Sequence, residues 1–174
     1  PEYFAEIDGK RTSEYLYSQL CLTNPDVLQI TVEKVKEWLR ANPNAKIVSV
    51  SQDDSFVINS YCTCEACNQV NKEERSNSGT LIRFVNAVAD AIKEEFPDVA
   101  VDTLAYQYSV EPPRKTVPRD NVIVRVCTGV CSAHAIGTCG SSAGIKNNIQ
   151  RWARISDRIY IWDYTTDFAE YLCP

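Results

Sequence analysis

Two carboxylates stand side by side at Asp53 and Asp54, where an apolar run from Ile47 to Ser51 gives out. Polar residues just past the carboxyl end of a strand are where α/β proteins usually build their sites. Adjacent carboxylates there suit general acid–base work, sugar-hydroxyl binding or metal binding. Neighbours in an extended chain point to opposite sides, so one of the two faces the site. A solvated turn, or an Asp capping the next segment, explains the pair equally well.

Cys62-x-Cys64-x-x-Cys67 follows. Three cysteines so close together could hold zinc with a fourth ligand from elsewhere, for which Cys127, Cys131, His134 and Cys139 are candidates. Neither group forms paired Cys-x-x-Cys knuckles. The 8 cysteines are an even number and many for this length, which favours disulfides in an oxidising compartment over buried free thiols or a metal. Cys21, Cys62, Cys64, Cys67, Cys127, Cys131, Cys139 and Cys173 are therefore expected to pair, with connectivity open, and no metal or cofactor is expected. His134, the single histidine, suits a general base, a metal ligand, a sugar contact or a hydrogen-bonded surface residue. A last group joins aromatic rings to carboxylates: Tyr106, Tyr108, Trp162, Asp163, Tyr164 and Asp167. Ring faces stack on sugars and carboxylates accept their hydroxyl protons. Trp162 alternates with Ile161 and also fits a core position, so Asp163 is the stronger candidate.

These residues need strands that end together. Val27, Ile30, Val35, Trp38 and Leu39 recur at helical spacing after Thr23-Asn24-Pro25, a cap followed by Pro at the first helical position. A second helix opens at Ser78-Gly79-Thr80, and a third covers 145–156. Ile47–Ser51, Val99–Tyr106, Val122–Cys127 and Ile159–Trp162 read as strands, with Gln19–Leu22 as a short fifth. Pro112, Pro113 and Pro118 exclude a regular helix over 107–120. Alternating strands and helices predict a parallel sheet with right-handed crossovers. About five strands and three main helices make roughly half to two-thirds of an eight-stranded barrel of about 250 residues. An open sheet covered on both faces is the rival. No strand is followed by a Gly-rich phosphate loop.

The chain of 174 residues is 44% hydrophobic, which sets aside disorder and is enough for one domain with a core. Its net charge of −5, with no basic cluster, argues against nucleic acid. No apolar run approaches the roughly 20 residues of a membrane span. The start at Pro1-Glu2-Tyr3 and the lack of Met point to a mature fragment or an excised part of a longer polypeptide; no signal peptide is visible, though one could have been removed.

Several strings, taken together, resemble the domain-of-unknown-function 4838 family, bacterial and eukaryotic proteins of the barrel glycoside hydrolase clan with α-glucuronidase-like relatives. They are Pro1-Glu2-Tyr3-Phe4-Ala5, Gln19 to Pro25, Ser49-Val50-Ser51-Gln52, Tyr61-Cys62-x-Cys64-x-x-Cys67 and Ser78-Gly79-Thr80-Leu81. Arg83-Phe84-Val85-Asn86, Asp102-Thr103-Leu104-Ala105-Tyr106 and Tyr160-Ile161-Trp162-Asp163-Tyr164 complete the set. The resemblance covers nearly the whole chain. It implies that residues 1–174 form a single partial barrel domain of TIM type, secreted and directed at carbohydrate. Asp54 matches the family's acid, where Asn-Asp is commoner than Asp53-Asp54. Family members often carry Glu before the cysteine that matches Cys131; here Val130 stands there, which puts activity in doubt. The expected roles are catalysis by Asp54 and Asp163, with Asp53, Tyr106, Tyr108, His134 and Trp162 on substrate. The alternative is a non-catalytic structural or glycan-binding subunit of an extracellular assembly, self-associating or continued in a longer chain.

Overall fold

In a computed structural model of the chain, the described residues are 2–11, 13, 19–55, 60–129, 134–136, 138, 140 and 143–163. Strands β1 (Glu6–Ile7) and β2 (Lys10–Arg11) form a small antiparallel hairpin. Its turn is Asp8-Gly9, both at positive φ. Helix α1 (Pro25–Ala41) begins where its cap predicts: the Asn24 side chain accepts from the Asp26 and Val27 amides, and Pro25 occupies the first turn.

Strands β3 (Ile47–Ser49), β4 (Ala100–Ala105), β5 (Val122–Cys127) and β6 (Ile159–Trp162) pair in sequence order, and every pairing is parallel. Helices α2 (Glu65–Glu74) and α3 (Ser78–Ile92) connect β3 to β4, and α4 (Ala143–Trp152) lies between β5 and β6. The protein is thus a mixed α/β domain with four helices and one four-stranded parallel sheet among its described residues. The expected fifth strand at Gln19–Leu22 does not join the sheet; Leu20 makes one antiparallel bridge to Phe4. No barrel closes among the described residues: β3 and β6 are both open edges.

The helices cover one face. Val27, Val35 and Leu39 of α1, the apolar stripe of α3 and Trp152 of α4 share one core with Val48, Val101, Ala105, Val122, Val124 and Val126. By strand alternation the opposite face carries Ile47, Ser49, Ala100, Asp102, Leu104, Ile123, Arg125, Cys127, Tyr160 and Trp162. An open sheet wound in both directions would reverse its strand order and carry helices on both faces. Among the described residues the strands keep sequence order, and α1, α3 and α4 pack on one face.

Helix α2 was not legible as a helix, because its buried face is polar: Cys67, Asn71 and Glu74. Glu74, fully buried, organises the proline-rich connection from β4 to β5. Its carboxylate accepts from the Lys115 and Thr116 amides at 2.8 and 3.0 Å, from the Thr116 hydroxyl at 2.6 Å, and from Arg83. Asn86 of α3 holds the next turn through Val117 O and the Arg119 amide. A connection with no α-helix of its own is thus satisfied in part by side chains of α2 and α3. Gly79 is required by the same contact, since a Cβ there would stand 2.6 Å from Cγ of Glu74.

Candidate functional site at the carboxyl edge of the sheet

The parallel register brings the predicted residues from β3, β4 and β6 to one edge. Gln52 to Ser55 continue from β3, Tyr106 from β4, Thr128 from β5 and Asp163 from β6. The β3 and β4 loops are clamped together. Gln52 donates to Tyr106 O at 3.2 Å and accepts from the Ser109 hydroxyl at 2.6 Å, and Gln107 donates to Ser55 O at 3.0 Å. Gln107 adopts φ 48°, a left-handed conformation that costs a non-glycine residue energy and turns the chain sharply off β4. Buried Gln19 grips the backbone of Asp53 twice, through its O at 2.7 Å and its N at 3.1 Å.

Asp53 and Asp54 are both exposed. Asp54 leans toward the end of β5, close enough for its charge to act on the Cys127 thiol. Burial chiefly raises that thiol, Arg125 lowers it and Asp54 raises it again, to about 11. Asp163 accepts from the buried Thr128 hydroxyl at 2.6 Å, and Thr128 N donates to Trp162 O at 3.1 Å. Asp54 follows β3 and Asp163 follows β6, the two edge strands of the sheet. Tyr106 continues the alternation of β4 onto the face opposite the helices, and Trp162 lies there too, 45% exposed. His134 is exposed in the segment after β5. Tyr108 departs from the expected rim: its ring packs on Tyr61 with centroids 5.6 Å apart, and burial raises its phenol. Val130, Cys131, Cys139, Tyr164, Asp167 and Cys173 lie outside the described residues.

Two charged residues on the face opposite the helices were not picked out from sequence. Asp102, 1% exposed, pairs with Arg125 of β5, and the Arg125 guanidinium lies 5.3 Å from the centre of the Trp162 ring. The signal was available: an acid inside AVDTLA and a base inside VIVRVC, at alternate positions of neighbouring apolar strands.

The cysteines depart most from expectation. Cys21, Cys62, Cys64, Cys67 and Cys127 are free, and no described pair stands at the roughly 2.05 Å of a disulfide bond. Four converge instead. The Sγ atoms of Cys21, Cys62, Cys64 and Cys67 all lie within 4.8 Å of one another. Cys64 caps α2 and Cys67 sits in its first turn, so both sulfurs meet the positive end of the helix dipole. The Glu6 amide donates to Cys62 Sγ at 3.3 Å, and the Thr23 hydroxyl lies 3.2 Å from Cys67 Sγ. Arg11 faces Cys21 and Cys64, whose sulfurs raise its pKa further. The Cys62 thiol is pulled down to about 4 by hydrogen bonds from Cys67 first and then from backbone amides, while its partner Cys67 is pushed up. The fourth cysteine, Cys21, comes from the segment before α1, and none of the expected fourth ligands is part of this group.

A separate groove of about 880 Å³ runs along the open edge of β3, lined by Leu20, Ile30, Trp38, Ile47, Asp53 and Tyr108 among others. It shares Asp53 and Tyr108 with the expected site and is otherwise mainly apolar. No described helix is long and apolar enough to cross a membrane.

A comparison with curated proteins finds no match. The family model described as Domain of unknown function (DUF4838) matches residues 1–174, the full length of the sequence, and the chain belongs to that family.

Proposed function

We propose that this is a carbohydrate-directed protein built on an arc of a glycoside hydrolase-like β/α barrel, with the carboxyl edge of its sheet as the glycan-contacting surface. The observation that carries this reading is the one-sided winding: strands in sequence order, helices on one face, and an opposite face that sets Asp102, Arg125 and Trp162 among apolar residues. In a barrel that face is the interior, and the carboxyl edge above it is where substrate meets the protein. Asp54 and Asp163 are the candidate catalytic carboxylates, one as acid–base and one as its partner. Asp53, Tyr106 and Trp162 are candidate sugar contacts; Tyr108 shapes the rim through Tyr61. An extracellular setting belongs to this proposal on the substrate class alone, because the free described cysteines no longer argue for it.

A second reading keeps the glycan and drops the reaction: a binding or structural subunit. It is favoured by exposed apolar residues at both sheet edges, Ile47 at 40% on β3 and Tyr160 and Ile161 at 50% and 41% on β6, which suit strands that gain neighbours in an assembly.

A panel of chromogenic glycosides, including α-glucuronides, with calorimetric titration of neutral and acidic oligosaccharides, separates the two. The hydrolase reading predicts turnover that falls about 10²- to 10⁴-fold in Asp54→Asn and in Asp163→Asn while binding survives. Binding without turnover selects the second reading. Neither binding nor turnover across the panel overturns both.

A further inference from the structure

We propose that Cys21, Cys62, Cys64 and Cys67 form a structural zinc centre, one tetrahedral Zn²⁺ held by four thiolates. Geometry carries this. A Zn–S bond of about 2.3 Å in a tetrahedron places its sulfurs about 3.8 Å apart. Cys21 Sγ lies 3.7 Å from Cys64 Sγ and 3.9 Å from Cys67 Sγ, and all four sulfurs fall within 4.8 Å. Disulfide bonding would bring sulfurs to about 2.05 Å in pairs and leave no fourfold cluster. An iron–sulfur cluster places its own inorganic core between the thiolates and spreads them wider than this. The spacing therefore selects a single ion, and four sulfur donors select a thiophilic one.

The surroundings supply what a tetrathiolate site needs. Loading releases the remaining thiol protons to solvent, and the four thiolates exceed the ion's charge by two. Arg11 supplies one countercharge and is itself fixed by a 2.6 Å bond to Phe4 O. The Glu6 amide, the Thr23 hydroxyl and the N-terminus of α2 add donors and partial positive charge around the sulfurs. A cluster of bare thiols would have little need of this polar shell.

The centre ties distant pieces together. Cys21 comes from the segment that bridges Phe4, while the other three come from the loop after β3 and the start of α2. Two residues before Cys21, Gln19 holds the backbone of Asp53. The four-cysteine group is thus connected to the backbone of Asp53 through Gln19. Its role is to fix the loop after β3 on the N-terminal segment, and this holds whatever the rim binds.

The test is metal analysis of the full chain, with cobalt substitution. One zinc per chain is expected, and the cobalt form should show the intense visible bands of a tetrahedral thiolate site. Cys64→Ser and Cys21→Ser should lose the metal and Cys127→Ser should retain it. If the cluster variants fail to fold, the wild-type protein still decides: adding a chelator should expose four further thiols to a thiol reagent and lower the melting temperature. A zinc-free native protein whose cluster cysteines are oxidised in pairs overturns the proposal. So does a native protein that holds iron, or zinc retention in Cys64→Ser.

Discussion

At the residue scale, Arg125 joins three groups. It neutralises a carboxylate that is 1% exposed, lies under the Trp162 ring and lowers the Cys127 thiol. Removing one partner of a buried pair leaves an uncompensated charge, a change worth about 3–5 kcal/mol. Arg125→Ala should therefore lower the urea midpoint by an amount equivalent to about 3 kcal/mol, and Asp102→Asn in the same chain should restore part of it. A loss under about 1 kcal/mol in the single variant would mean that solvent already screens Asp102. Asp54 and Asp163 stand out in the sequence because each lies beyond the carboxyl end of an apolar strand, Asp163 immediately and Asp54 five residues on. Nothing in the residues after β4 signals the left-handed turn at Gln107, which sets the Tyr108 ring against Tyr61.

At the scale of elements, the helices with apolar stripes were legible and α2 was not. Periodicity detects a helix by the apolar residues it buries, and α2 buries a cysteine, an asparagine and a glutamate. Its contribution is electrostatic and pH-dependent. Burial alone would raise the Glu74 carboxyl. The Thr116 hydroxyl, the Lys115 and Thr116 amides and Arg83 outweigh that and hold it at about 2, against an ordinary 4.5. A carboxyl held down in the folded state stabilises the fold fully above its unfolded pKa, and that stability is lost as pH falls through the folded value. Glu74 should thus contribute about 3 kcal/mol that disappears between roughly pH 4.5 and 2. Glu74→Gln should lose it already at neutral pH and flatten acid denaturation in that window. An unchanged acid limb in the variant would show that other groups control it. The lowered carboxylates Glu37 and Glu95 lie on the surface in exposed pairs and contribute little to this limb.

At the scale of the molecule, the parallel α/β class was legible because each strand of the sheet is an apolar run separated from the next by a helix or a long connection. The fifth strand was not confirmed: Gln19–Leu22 has strand-like residues, but Gln19 and Cys21 turn to Asp53 and to the other cysteines. The cysteine count pointed to disulfides because composition carries no distances. Only the fold shows that the fourth partner of Cys62, Cys64 and Cys67 lies 41 residues before the nearest of them, by 62 − 21. What emerges is a one-sided parallel sheet whose carboxyl edge gathers the acidic and aromatic residues, with a four-cysteine centre holding one of its loops.

The central claim is that a glycan meets this edge. Hydrogen–deuterium exchange of the full chain, with and without the tightest-binding oligosaccharide of the panel, tests it most directly. Protection is predicted at 49–54, 104–109, 126–128 and 160–163, the four places where chain leaves the sheet at that edge. Protection confined to the groove along β3, at Leu20, Ile30, Trp38 and Ile47, or no protection anywhere, would contradict it.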